Sequence, residues 1–318
     1  MKNGQPAFSE ADRLPFMDYV CMDMKYQLES KWTWQHVSSV KWHSPVIRTP
    51  SWERAQEQWS LIHPILAAHS NMEALANNPE QPCISISIVI CTYNNAEYLP
   101  WAIRSVLIQD CFHWKLLIVD DASTDSTSRV LDSYRNHPSI TIISNESNQG
   151  KSNCLNKAIQ IASNDWLLEL DADDWLPPDC IRKLIHVIRA ASAETALLHG
   201  DHYDWLERPR KQLLFRGLRK GTPHIQRKTL IQQAAPVIPR CYRISALRQI
   251  GGWNTESLFD GRLYEDLEII LRLTKDNEEV YIPSALYHRR NRPSSITKLN
   301  AAKYAQWAQW AEPNIEKK

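Results

Sequence analysis

Hydrophobic and polar positions switch between two periods along the middle of the chain. Residues 84–95, I-S-I-S-I-V-I-C-T-Y-N-N, and 116–125, L-L-I-V-D-D-A-S-T-D, are β-branched runs that end in polar, turn-forming residues. That is the pattern of parallel strands buried on both faces. Between them, from Ala96 to Gln109, Leu99, Ile103, Val106 and Leu107 recur at helical spacing, and over 124–134 Val130, Leu131 and Tyr134 share one face after a start rich in Ser, Thr and Asp. Ser139 to Ile143 predicts a short strand, Ser152 to Ile161 a helix with Leu155, Ala158 and Ile159 inward, and Asp165 to Leu170 another strand. Pro177 to Ala190 predicts a helix opened by prolines, which suit a first turn. Alternation of this kind builds an α/β fold, a twisted and mostly parallel sheet with helices on both faces. Ligands collect at the carboxyl ends of such strands, and Tyr93, Asn94, Asp120, Asp121, Asp171 and Asp173 all fall there.

The sharpest feature is W-L-L-E-L-D-A-D-D-W at 166–175, an apolar run that ends in Asp171, Asp173 and Asp174. Carboxylates at a strand exit have a cation or a phosphate-bearing ligand to meet, or they form a solvated turn or a helix cap. Because Asp174 precedes Trp-Leu-Pro-Pro and a helix, capping suffices to explain it.

Composition narrows the classes. A length of 318 residues allows one large domain with an appendage, and a formal charge of +1 does not point to a nucleic-acid partner. Seven cysteines, with no C-x-x-C pair, read as reduced thiols of a cytoplasmic protein. The start M-K-N-G-Q-P-A-F-S-E-A-D-R lacks the apolar core of a signal peptide, and no apolar run approaches the ~20 residues of a membrane helix. Residues 1–82, with Trp32, Trp34, Trp42, Trp52 and Trp59 among Gln, His and Ser, are expected to form a helical or irregular extension that leads through N-N-P-E-Q-P into the first strand. Its tryptophans would pack on the main domain or grip a partner. The expected units are therefore 1–82, 83–296 and a helical tail over 297–318, in which Trp307 and Trp310 would cover the domain or touch the inner face of a membrane.

Taken together, V-I-C-T-Y-N-N, I-V-D-D-A-S-T-D, N-Q-G-K-S-N-C-L-N-K-A-I, L-D-A-D-D-W, G-G-W-N and Y-E-D-L-E-I-I-L-R-L resemble the ordered motif series of family 2 glycosyltransferases, over roughly residues 84–295. The resemblance implies a GT-A fold and an inverting, divalent-metal-dependent transfer of one sugar. The donor would be a nucleoside diphosphate sugar, with UDP favoured, and the group moved a hexosyl or N-acetylhexosaminyl unit. The acceptor would be a glycan, a lipid-linked molecule or a peptide, in the setting of polysaccharide assembly. The Q-x-x-R-W signature of processive members is absent.

Carried over by motif, Thr92, Tyr93 and Asn94 would hold the nucleobase, Asp121 would accept from the ring N–H of a pyrimidine, and Lys151 and Asn156 would lie near the nucleotide. Asp120 would orient its loop. Asp171 would face the ribose and Asp173 would ligate Mn²⁺ or Mg²⁺, hard cations suited to carboxylate and phosphate oxygen. Asp266 would be the general base and Glu265 an acceptor contact, although the helix dipole alone also favours acids at that first turn. Trp253 would stack on the acceptor sugar or sit in the core. His288 would be a second metal ligand, with Arg289, Arg290 or Arg292 clamping phosphate. Two other readings stay open, a non-catalytic binder of nucleotide sugar or glycan and a sugar-phosphate nucleotidyltransferase. The latter would open with a Gly- and Arg-rich loop after the first strand, where this chain has C-T-Y-N-N.

Overall fold

A computed structural model of the protein describes residues 84–316 apart from 234, 294 and 296–298. The expectations for residues 1–82 lie outside these. The strands β1 (Ile86–Thr92), β2 (Trp114–Asp120), β3 (Ile140–Ser144) and β4 (Trp166–Glu169) lie in the spatial order β3-β2-β1-β4, all parallel. Helices α1 (Leu99–Leu107), α2 (Thr127–Asp132), α3 (Lys151–Ile161) and α4 (Cys180–Ile188) connect or follow them. Pro177 and Pro178 lie just ahead of α4 and not in its first turn.

Continuous apolarity in these strands follows from two-sided burial, since successive side chains point to opposite faces. Ile86, Ile88 and Ile90 pack on one face with Leu99 and Ile103 of α1 and Leu184 of α4. Val89, Leu117, Val119 and Leu167 pack on the other with Leu155 and Ala158 of α3.

Beyond α4 the sheet turns mixed. The strands β5 (Thr195–Arg208), β6 (Gln212–Arg219), β7 (Arg240–Arg243) and β8 (Glu278–Asn291) extend it in the order β4-β7-β5-β6, with β8 parallel to β5. The antiparallel pairing of β4 with β7 sets Arg240 directly opposite Glu169. The reading of the sequence assigns no element between Ala190 and Pro236, because His199, Asp201, His202 and Glu207, all buried, interrupt any apolar period in β5. Asp201 is satisfied there by Tyr281 Oη at 2.6 Å and the Gly221 amide at 2.9 Å.

Three helices complete the C-terminal half that touches the site, α5 (Arg227–Gln233), α6 (Ile244–Gln249) and α7 (Glu265–Leu273). Helix α7 buries Leu267, Ile270, Leu271 and Leu273 in the second core, so its opposite edge carries Glu265 and Asp266 toward the sheet's carboxyl end. A last helix, α8 (Tyr304–Glu316), seats Trp307, fully buried, against Tyr264 and Tyr304. Among the described residues no helix is long and apolar enough to cross a membrane.

Candidate functional site

The carboxyl ends of β1, β2 and β4, the start of α3 and the first turn of α7 meet around a network of ionised side chains. At its centre is Arg240. Its Nε and Nη2 fork onto Glu169 at 2.9 and 3.0 Å, Nη2 also reaches Asp171 at 3.2 Å, and Nη1 lies 3.5 Å from Asp266. Beside it, Lys151 Nζ stands 2.5 Å from Asp171, 2.8 Å from Glu169 and 3.7 Å from Glu265. Two cations thus tie the end of β4 to the first turn of α7, a link between segments almost a hundred residues apart.

Neither Glu169 nor Arg240 is singled out by the sequence reading. The signal was present in W-L-L-E-L, where one charged residue stands inside a strand buried on both faces, since a buried acid is rare unless paired. Its partner could not be read, because the cross-strand register of β4 and β7 exists only in the sheet.

Charge sets the ionisation of the network. Burial pushes the Asp171 carboxyl up, but Lys151 and Arg240 outweigh it and hold the group well below the ordinary carboxylate range. Glu265 behaves oppositely. Burial raises it to about 7, with Asp266 and Glu169 adding repulsion that Lys151 only partly offsets. The folded protein therefore keeps a proton on Glu265 that the unfolded chain has released by pH 5, and this contribution to stability is present at low pH and lost as pH rises through about 7. Urea midpoints of the wild type should fall between pH 5 and 8 by more than those of Glu265→Gln. Parallel midpoints in the two proteins would contradict this assignment.

Asp173 pairs with Arg292 Nη2 at 2.6 Å, and Arg292 lies over the Tyr98 ring. Burial raises the Asp173 carboxyl; Arg292 lowers it in part and Asp171 raises it again. Asp174 is not a helix cap. It is buried, accepts from the Arg290 amide at 2.6 Å, and is pushed well up by burial and by Asp173 and Asp171. Its role is to seat β8 against the turn after β4.

At the ends of β1 and β2, Asp120 accepts from the Ser123 amide and hydroxyl at 3.1 and 2.5 Å and so orients its loop. Asp121 accepts from Asn145 Nδ2 at 2.7 Å and from the amides of Gln149 and Gly150 at 2.8 and 2.7 Å. Burial opposes its ionisation, yet these bonds hold its carboxyl below the ordinary value. A hydrogen bond from the Cys154 side chain lowers it further. Asn94, at φ 52°, accepts from the amides of Thr124 and Asp125 and joins the two loops, while Tyr93 is 46% exposed beside it. Thr92 Oγ1 is buried with no partner among the described residues.

Three expected site residues are corrected. Trp253 is buried at 2% exposure and meets Tyr242 edge to face, so it is a core residue and cannot stack on a sugar. Asn156 is spent on holding it, donating to the Trp253 carbonyl and accepting from its amide, both at 2.8 Å. The Gly252 turn fits against this clamp, with φ 71° and an imagined Cβ only 2.3 Å from Asn156 Oδ1. His288 lies in an aromatic stack with Trp175 and Tyr203, its Nδ1 accepting from Trp205 Nε1 at 3.0 Å. Burial lowers its pKa to about 3, and the ring belongs to the packing of β5 on β8, not to a metal.

The donor set accordingly fits a hard cation through Asp173 alone. Among the described residues no group of three or more His, Cys, Asp or Glu side chains is gathered as a cage. Such a cation would take its other oxygens from phosphate and water.

The family described as Glycosyl transferase family 2 matches residues 87–250. Chondroitin synthase of Escherichia coli is 34% identical over 105 residues, which cover 33% of this chain and 15% of that protein. This chain spans between 15% and 43% of the length of the first curated relatives it matches. Among solved structures, residues 1–349 of S. aureus TarS in complex with UDP align with a TM-score of 0.51 at 20% identity, over 66% of this chain and 61% of that one. The mannosyltransferase PcManGT from Pyrobaculum calidifontis, in complex with GDP-Man and Mn²⁺, aligns with a TM-score of 0.51 at 14% identity, over 83% and 80%. These two likenesses are likenesses of fold.

Proposed function

Since the chain belongs to glycosyl transferase family 2, we propose that it moves a single sugar, with inversion, from a nucleoside diphosphate donor to a hydroxyl of a glycan, lipid-linked or peptide acceptor. One observation carries the reading: Arg240 binds both Asp171, at the end of β4, and Asp266, in the first turn of α7. Donor-side and acceptor-side carboxylates are thus parts of one site.

In this reading Tyr93, Thr92 and Asn94 hold the base, and Asp121 accepts from a pyrimidine N–H. Such an acceptor favours uracil, and the TarS relative in fold was solved with UDP. Asp171, with Lys151 fixing its orientation, lies on the ribose side. Asp173 would hold Mn²⁺ or Mg²⁺, which supplies neutralisation of the charge that grows on the leaving diphosphate. Arg292, already at Asp173, is placed to contribute to that charge. Asp266, whose side chain is 32% exposed, takes the proton of the attacking hydroxyl. The hydroxyl oxygen bonds to the anomeric carbon as the diphosphate leaves from the opposite side, so one displacement inverts the configuration. The catalytic unit is assigned to 83–296.

Calorimetric titration of UDP, GDP, CDP and dTDP, each with Mn²⁺ and with chelator, tests the donor half. The expected result is metal-dependent binding that prefers UDP and is at least tenfold weaker in Asp173→Asn. Absence of binding by any of the four to the folded protein would falsify the donor assignment and favour a relative that has lost turnover.

A further inference from the structure

We propose that the β5–β6 hairpin is a docking surface for a polyanionic glycan, and that this glycan is the acceptor. The acceptor role rests on the transfer reading above; the surface itself does not.

The chain balances 37 Lys and Arg against 36 Asp and Glu, yet from Arg208 to Thr255 it carries eleven Lys and Arg and no acid. Six of the eleven, Arg208, Arg210, Lys211, Arg216, Arg219 and Lys220, run from the end of β5 to the residue after β6. Among the described residues β6 forms one edge of the sheet. Arg208, Arg216, Arg219 and Lys220 are exposed, and of these four Arg219 alone has an ion pair among the described residues, with Asp204 at 3.2 Å. Charges do guard an edge strand against pairing with other chains, but mixed signs serve that purpose without self-repulsion. A strip held at one sign instead concentrates a ligand of the opposite sign.

The strip reaches the site. β5 runs in the same direction as β4, since both are antiparallel to β7, and it continues to Arg208 whereas β4 stops at Glu169. The hairpin therefore rises past the carboxyl ends of the central strands. Its tip leans on the residues that lead into α1, with Lys211 Nζ 3.0 Å from Glu97 and 4.5 Å from the centre of the Tyr98 ring. Arg292, the partner of Asp173, lies over the same ring, also at 4.5 Å.

A linear polyanion suits this geometry better than a membrane does. The cations follow a single edge strand, about 26 Å long at 3.3 Å per residue, and Leu218 is the one large apolar side chain exposed on it. Membrane docking needs an apolar face to bury beside its charges.

The test uses fluorescent dextran and dextran sulfate, which share a glucan backbone and differ in charge, and vesicles of phosphatidylglycerol with phosphatidylcholine. Anisotropy is followed at about 0.1 M salt, where charges act over ~10 Å. The expected result is that dextran sulfate binds, that dextran does not, and that saturating UDP with Mn²⁺ leaves the binding within twofold. Arg216→Glu with Lys220→Glu should weaken it at least tenfold and leave the affinity for UDP within threefold. Arg129→Glu with Arg135→Glu, exposed toward the other edge of the sheet, should change it less than twofold. Equal binding of the two dextrans, displacement by UDP, or equal weakening by the two double variants overturns the surface. Vesicle binding that the hairpin variant abolishes, without binding of dextran sulfate, overturns the glycan in favour of a membrane. Binding of dextran sulfate by a protein that binds no nucleoside diphosphate leaves the surface standing and overturns its acceptor role together with the transfer reading.

Discussion

Asp266→Asn is expected to lower the rate of sugar transfer by about 10²–10⁴-fold while leaving the affinity for nucleoside diphosphate within about threefold of wild type. The range is that of a positioned general base. Asparagine keeps the shape of the side chain and can still accept from Arg240 Nη1, which lies 3.5 Å from Asp266 Oδ2. It cannot accept a proton from a hydroxyl. The donor side is spared because Asp171 is held independently by Lys151 at 2.5 Å and by Arg240 Nη2 at 3.2 Å. Structural damage should be small, since Asp266 is partly exposed and its charge at the start of α7 is worth about 0.3–1 kcal/mol through the helix dipole. The measurement is turnover beside calorimetric nucleotide binding on the same preparation. Parallel loss of both would show that the carboxylate shapes the donor pocket, and transfer above a tenth of the wild-type rate would remove Asp266 from the chemistry.

The largest expected loss of stability is at Glu169. Its side chain is 2% exposed and accepts both arms of the Arg240 fork, the Lys151 ammonium and, at 3.3 Å, the Tyr242 hydroxyl. Burial alone would raise its carboxyl, but Arg240 and Lys151 hold it lowered. Glu169→Ala removes the anion and leaves a desolvated guanidinium with Asp171 and the more distant Asp266. Breaking a buried pair from one side costs about 3–5 kcal/mol. For a domain of this size that is a fall in Tm on the order of 10 °C. Glu169→Gln, which keeps one acceptor oxygen and the side-chain volume, should lose less. A shift within 2 °C for the alanine variant would mean that water or Asp171 replaces the lost acid at little cost.

These two effects arise from one design. The site is built where strands end, so its carboxylates belong to elements anchored by a core on either side of the sheet. The cations that connect them are themselves buried or half-buried, which makes the geometry stiff and the removal of any single partner expensive. Binding and chemistry are thereby tied to stability at Glu169 and Arg240, but much less so at Asp173 and Asp266, which lie at the edge of the network.

Legibility in the sequence divides along the same line. β1, β2, β4, α1 and α3 are readable because each declares itself locally, through a β-branched run, a 3.6-residue period or a polar strand exit. Asp171, Asp173, Asp121 and Asp266 are readable for a related reason, since strand ends and helix first turns are positions in the chain as well as in space. β5 is not readable. Its buried acids Asp201 and Glu207 are tolerable because Tyr281 and Arg290 of β8 lie against them, and His199 packs beside the Tyr281 ring.

Trp253 and His288 illustrate the limit from the other side. A tryptophan after two glycines, or a histidine near arginines, looks the same in sequence whether it faces a ligand or a core. Asn156 and Trp205 settle the matter with hydrogen bonds from 97 and 83 residues away. The chain by itself therefore determined the alternation of strands and helices, the family, and which carboxylates stand at strand ends, because those follow from short-range period and local chemistry. Only the tertiary structure decided that Arg240 joins Glu169, Asp171 and Asp266, that Asp173 is held by Arg292, and that Trp253 and His288 are packing residues. Pairing across a sheet and burial between layers depend on register and distance in space, and no local pattern encodes either.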